Sequence, residues 1–298
     1  MQRSRVGADD GIAASPEVHT LDGIEVDAVP PGLALHPFGV FTTFVMVDGS
    51  VLGWPDHVTR LTRDARLLWG CDLDPQRLSS DVLSHARRVG PAPARVRVTL
   101  YPEAMQMMRP IDARGCRILV SSGPAVFPFL PEHQFTVRTC EYQRELPDLK
   151  TTDTFTQIRR RREAQLAGFD DALFVRRDQV LEGSTWTVVT WCDGQVATPA
   201  GPVLESITAV HLAAAAEELG WSFVSRPITV AELAEADLVL AVNAVNPARA
   251  IRRVDARSLN LDHALLAEVA GVMSSRERHH VGASAPRADG PADPTGLD

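Results

Sequence analysis

The segment ELPDLKTTDTF, residues 145–155, holds Lys150, the one lysine in a 298-residue chain whose 30 Lys and Arg residues are otherwise arginine. A guanidinium stays protonated under nearly all conditions. A lysine amine that is partly desolvated loses its proton near neutrality and attacks a carbonyl. Two readings of Lys150 follow: the chance survivor of an arginine-rich coding habit on a solvated face, or an amine kept because imine chemistry cannot use arginine. The pair Lys150-Thr151 does not end a phosphate loop, because Leu149 precedes it and no glycine lies close upstream. No GxGxxG, HExxH or GxSxG occurs in the chain.

Imine chemistry on pyridoxal phosphate makes three demands: a lysine, an acid opposite the pyridine nitrogen, and a phosphate cup. Each has a candidate. Glu182 stands in LEGSTW at the end of a strand-like run. The helix pattern ITAVHLAAAAEELG begins after LES, where Ser206 or Thr208 would present unpaired backbone N–H groups at the positive end of the helix dipole. Arg60 could add a bidentate contact. Singly, these also read as a turn carboxylate, an ordinary cap and a surface arginine.

The elements that must position them alternate between strand and helix. VFTTFVMVDGSVLGW predicts a hairpin around Asp48-Gly49. Two helices follow, one with Val58, Leu61, Ala65 and Leu68 on a face and Gly70 as its stop, the next with Leu78, Val82, Ala86 and Val89. The runs RVRVTLY, CRILVSS and FTVRTCEY predict three strands, which assigns a small α+β domain to 16–142. Residues 143–150 read as a connection, and 151–275 as a second domain. It opens on a helix with Phe155, Ile158 and Leu166 on one side and Gly168 as its end. Residues 1–15 and 276–298 read as disordered polar tails, in which His279 and His280 are no convincing metal site. Arg159 to Arg162 fan around their helix at about 100° per residue, which makes them a solvated, salt-bridged surface rather than a nucleic-acid face.

In this order the pieces resemble the class IV, or fold-type IV, pyridoxal-phosphate enzymes, which include branched-chain and D-amino-acid aminotransferases and aminodeoxychorismate lyase. The stretch from Phe38 to Gly70 looks like the family's opening strand, D-G hairpin and H-x-x-R-L helix. LKTTDTFTQ looks like its Schiff-base segment, and GFDDALFVRRDQVLEGSTW like its E-G block. LESITAVHL is similar to L-x-G-I-T-R, and LAVNAVNPARAIRRVD to the closing strand and loop. The resemblance implies a two-domain α+β fold with the cofactor in the interdomain cleft, and a homodimer whose partner completes the site. It implies Lys150 as the aldimine lysine, Glu182 facing the pyridine nitrogen, and Arg60 with the Ile207 and Thr208 amides on the phosphate. Thr43 and Arg97 fall on strands that the family turns toward the cleft, and are substrate-side candidates.

Departures concern mostly the substrate, although Ala244 would remove one phosphate contact. Val45 stands where the lyase has arginine, and Phe155 where branched-chain enzymes have tyrosine. Thr187, Ala209 and Ala244 replace frequent Asn, Arg and Ser or Thr, and PEAMQMMRP replaces an Arg-Gly loop. The expected activity is transamination of an amino acid or amine, with a lyase-like elimination as the alternative. A net charge of −8 argues against nucleic-acid binding. There is no run of transmembrane length and no signal-peptide stretch, and Cys71, Cys116, Cys140 and Cys192 are widely spaced. These features point to a cytoplasmic protein without membrane, zinc or disulfide chemistry.

Overall fold

The computed structural model of the chain describes residues 17–27 and 37–283. The expected tail over 1–15 lies outside the described residues. The first half builds a seven-stranded sheet. Its strands are β1 (Val18–Leu21), β2 (Ile24–Glu25), β3 (Val40–Val47), β4 (Ser50–Val51), β5 (Ala94–Tyr101), β8 (Arg117–Pro124) and, from the far end of the chain, β18 (His279–His280). They lie in the order β18-β4-β3-β5-β8-β1-β2. Asp48 and Gly49 both take left-handed φ, 46° and 69°, which is what a two-residue hairpin turn requires and what the Asp-Gly pair predicts. A separate hairpin, β6 (Ala104–Gln106) and β7 (Arg109–Arg114), fills PEAMQMMRP.

Helices α1 (Trp54–Trp69) and α2 (Pro75–Val89) pack on this sheet. Gly70 ends α1 in the left-handed conformation, and Asp74 caps α2 by accepting from the Gln76 amide at 2.9 Å. Their predicted faces are the buried ones: Val58, Leu61 and Ala65, then Leu78, Val82, Ala86 and Val89, all join one core with Phe44, Met46 and Val98. At Thr42 and Thr43 strand β3 therefore shows one residue to α1 and the next to the opposite side.

The second half builds a nine-stranded sheet from β9 (Glu132–Glu141), β10 (Asp171–Arg176), β11 (Gln179–Gly183), β12 (Thr187–Cys192), β13 (Gln195–Pro199), β14 (Ser222–Arg226), β15 (Leu238–Val242), β16 (Arg249–Val254) and β17 (Arg257–Ser258). The order is β11-β10-β9-β16-β15-β12-β13-β14, with β17 on β16. Helices α3 (Phe155–Leu166), α4 (Ile207–Glu218) and α5 (His263–Ser275) complete it. A core of Val45, Phe129, Val189, Ala209, Leu240 and Met273 joins β3 of the first half to α4 and α5 of the second.

Three expectations change. The strand over FTVRTCEY, read with the first domain, pairs in parallel with β10 and β16 of the second sheet, and Val137 is fully buried there. Alternation reveals a strand, but not which sheet receives it. On α3 the side carrying Phe155, Ile158 and Leu166 faces solvent, with exposures of 73%, 59% and 71%. The helix instead seats Gln157 and Ala164, with Arg161 anchored to Asp171 at 2.8 Å. Finally, residues 276–283 are not a tail. β18 pairs with β4, Val281 is fully buried, and Arg276 binds Glu218 at 2.7 Å. Among the described residues, no group of three or more His, Cys, Asp or Glu side chains could hold a metal, His279 and His280 included.

Candidate active site

Lys150 ends the connection between the halves and is pinned from both. Its backbone N–H donates to Asp64 Oδ2 at 2.9 Å, and its carbonyl accepts from Phe41 N at 2.9 Å. Thr152 N donates to the Gly39 carbonyl at 2.8 Å, and Val40 bridges to Thr151. Asp64 is itself buried and held by Arg63. This backbone clamp fixes where the side chain starts. Burial, and then the charges of Arg60 and Arg144, push the Lys150 amine down to about 7, with Glu182 opposing and Arg97 adding to the push. An ordinary lysine near 10.4 is almost wholly protonated at neutrality. Here a large fraction is the nucleophilic free amine.

Glu182 lies at the end of β11 and is 7% exposed. Its Oε1 accepts from Arg144 Nε at 2.7 Å and its Oε2 from Leu204 N at 3.3 Å. Arg144 also donates to the carbonyls of Leu146, Pro147 and Leu149, so one guanidinium holds both the acid and the loop that delivers Lys150. The sequence reading missed Arg144, because only the folded loop shows what it binds. Beneath Glu182, Gly183 admits no side chain: a Cβ there would stand 1.9 Å from the Trp186 indole. Trp186 Nε1 and the Ser184 hydroxyl both donate to buried Asp171, at 2.9 and 2.7 Å. These contacts give the GSTW stretch a structural reason.

Arg60 is reached from α1. Its Nη1 donates to the Glu205 carbonyl at 3.2 Å, beside the start of α4, and its Nη2 to Thr42 Oγ at 3.1 Å. Ser206 caps α4, accepting from Ala209 N at 3.2 Å. Ile207 and Thr208 are the first two residues of the helix, whose N–H groups have no acceptor within it. Thr42 Oγ lies 2.6 Å from His57 Nδ1, and both residues are fully buried. Burial, then the Arg60 charge, holds His57 well below the usual imidazole range. A neutral ring can accept from the Thr42 hydroxyl while that hydroxyl accepts from Arg60.

Arg97 pairs with Thr43 across β3 and β5. Its guanidinium lies 3.7 Å from the Phe41 ring centroid, and the Lys150 amine lies 4.8 Å from the same centroid. Burial lowers the Arg97 pKa, and its one side-chain hydrogen-bond partner among the described residues is Thr99, at 3.3 Å. Phe41, which sequence reasoning did not single out, thus brings these two cations to one surface. A cavity of about 340 Å³ opens beside the Lys150 segment, lined by Phe38, Tyr142, Arg144, Thr151, Asp153 and Gln157.

Two sheets, a lysine of lowered pKa between them, a buried carboxylate and an arginine at a helix N-terminus make up a fold-type IV architecture. The pattern of the amino-transferase class IV family matches residues 39–254, and the chain belongs to that family of pyridoxal-phosphate-dependent enzymes. No curated protein sequence matches the chain. Among solved structures, it is similar to a branched-chain aminotransferase from Thermoproteus uzoniensis with norvaline (22% identity, TM-score 0.76, covering 88% of this chain and 96% of that one). It is also similar to a fold IV-transaminase from Curtobacterium pusillum (23%, 0.73, 87% and 97%). A third is a hypothetical aminotransferase from Mycobacterium tuberculosis in its PLP-bound form (21%, 0.74, 87% and 100%).

The residues present fit the cofactor. Lys150 supplies a free amine, Glu182 a buried anion, and Arg60 keeps a buried Nε without a partner near the α4 N-terminus. Thr42→Val tests the support of Arg60. It strands two buried polar groups, a loss of about 1–3 kcal/mol. Pyridoxal phosphate is expected to bind about tenfold more weakly, with binding of pyridoxal, which lacks the phosphate, unchanged. Equal loss for both ligands in an absorbance titration would separate Thr42 from the phosphate.

Proposed function

We propose that the chain is a transaminase working on an amino acid or amine, with Lys150 as its catalytic residue and pyridoxal phosphate held in the cleft between the two domains. The observation that carries this reading is the Lys150 amine, brought to about 7 and set among Arg60, Arg144, Arg97 and Glu182. Bound pyridoxal phosphate supplies an electrophilic carbonyl and an electron sink. Lys150 takes the proton from the substrate Cα and returns it, which its near-neutral pKa suits. Glu182, fixed by Arg144, would set a negative charge opposite the ring nitrogen. Arg60 and the Ile207 and Thr208 amides orient the phosphate. Arg97 and Thr43 face the substrate, and Arg97, which has no carboxylate partner among the described residues, suits a substrate carboxylate. The FTT and NAVNPA stretches keep an aminodeoxychorismate-lyase-like elimination as the second reading.

The test is the visible spectrum of the purified protein before and after amino donors are added without an acceptor. Conversion of the band to the amino form of the cofactor supports transamination. A persistent band with keto acid or aromatic product released means elimination. Failure to develop any band with added cofactor would remove both readings.

The active molecule in this reading is a homodimer in the cytoplasm. Among the described residues no helix is long and apolar enough to cross a membrane, and all four cysteines are free. The α3 stripe of Phe155, Ile158 and Leu166 and the hairpin residues Met107, Met108 and Ile111 expose more apolar surface than isolated residues would. A dimer predicts a mass of about twice 32.4 kDa by light scattering. Phe155→Asp with Ile158→Arg should shift the species toward one chain. An unchanged mass would place the interface elsewhere.

A further inference from the structure

Arg278 lies in the stretch after α5 that the β18–β4 pairing carries back onto the first sheet. Its guanidinium packs 4.2 Å from the Phe127 ring centroid and 5.6 Å from that of Phe129. Nη1 donates to the Val45 carbonyl at 3.1 Å. Nε and Nη2 are buried and have no hydrogen-bond partner among the described residues. Among the other enclosed arginines, Arg144 has Glu182 and Arg249 has Glu132, each at 2.7 Å, and Arg161 has Asp171, whereas Arg60 and Arg97 have no carboxylate partner among the described residues. No carboxylate among the described residues pairs with Arg278, and burial alone lowers its pKa to about 10.

An enclosed cation without a counter-charge is costly, and a protein keeps one where an anion completes it. The surroundings show which kind of anion. Arg278 lines one space with Thr208, His211, Asn243 and Ala244, beside the N-terminal turn of α4. His57, whose Nε2 is likewise buried and unpartnered, borders the same space. An arginine fork and the first turn of a helix thus border one space, a combination of donors suited to the oxygens of a phosphate or carboxylate.

We propose that Arg278 is an oxyanion-binding residue of this site, its free Nε and Nη2 receiving a phosphate or carboxylate oxygen next to the α4 N-terminus. The inference rests on the pyridoxal-phosphate reading above for the identity of the anion, but not for the presence of an anion site. The oxyanion is the cofactor's phosphate or the carboxylate of an amino-acid substrate, and binding measurements separate them.

The experiment compares wild type with Arg278→Met and Arg278→Lys. If the cofactor phosphate is the ligand, Arg278→Met weakens pyridoxal phosphate binding at least tenfold, leaves pyridoxal binding unchanged, and shrinks the rise in Tm that inorganic phosphate gives the cofactor-free protein. If the ligand is a substrate carboxylate, cofactor affinity stays the same. Half-reaction affinity for α-amino acids then falls at least tenfold, and that for amines lacking a carboxylate does not. Arg278→Lys keeps the charge but not the fork, falls between the other two, and carries the test if the methionine variant does not fold. Wild-type values for both variants in every arm would overturn the proposal and leave Arg278 as a strut for Val45. Should the wild type bind no pyridoxal phosphate, the functional reading fails, and the phosphate-dependent Tm still decides whether Arg278 holds an anion.

Discussion

Lys150→Ala is expected to lose the visible band of the bound cofactor and to lower turnover about 10⁴-fold or more, since one amine serves as nucleophile, base and acid. Arginine cannot rescue it, because a guanidinium does not deprotonate in the working range. The backbone clamp on residue 150 involves only its N–H and C=O, so the alanine chain should fold. A second consequence concerns stability. Folding lowers the Lys150 pKa from an ordinary lysine value to about 7, so the folded protein binds fewer protons than the unfolded chain between those values. Stability therefore rises with pH across that window, and the penalty is complete below about pH 7. Lys150→Met removes the desolvated amine, so the cofactor-free variant should be more stable than wild type below pH 7. That advantage should shrink as pH climbs toward about 10.4. Denaturant titrations at pH 6 and pH 9 measure the difference. A gap independent of pH would mean that the amine titrates normally, and full turnover in Lys150→Ala would end the mechanism.

The same residue shows what could be read before folding. A sole lysine among arginines is visible in one dimension, and so are the Asp48-Gly49 turn and the faces of α1 and α2, because each is a local pattern buried on one side only. Glu182 and Arg60 were singled out for a different reason, the motifs that carry the family resemblance, and the fold gives their neighbours a role: Gly183 lies against Trp186 and His57 against Thr42. Arg144 and Phe41 were not. Arg144 matters through the carbonyls of 146–149 and a carboxylate 38 residues on, and Phe41 through two cations from other strands and loops. Arg278 was hidden more deeply, since the polar composition after residue 275 resembles a tail, while one two-residue strand and the buried Val281 bring it back onto the first sheet. On α3 the apolar stripe was real, but its destination was not the chain's own core. Periodicity reports that a face wants burial, not what buries it.

Glu182→Gln is expected to cost both chemistry and stability, by separable routes. The carboxylate faces Arg144 with only 9% and 10% of the two side chains exposed. Neutralising one member of such a pair leaves the other charge uncompensated, at about 3–5 kcal/mol. Turnover should fall about 10²–10³-fold, the scale found when one preorganised electrostatic contact is removed from a dry site. Glu182 also raises the Lys150 pKa, so its loss should move the pH midpoint for cofactor capture below the wild-type value near 7. Adding Arg144→Met to Glu182→Gln separates the two effects. The double variant carries no stranded guanidinium and should regain part of the lost stability, though not the part from the contacts to Leu146 and Leu149. Its turnover should stay low, because no side chain then sets a negative charge at the back of the site. If the double variant recovered turnover along with stability, Glu182 would be merely the counter-ion that keeps the 146–149 loop in place, and the acid opposite the ring nitrogen would have to be sought elsewhere.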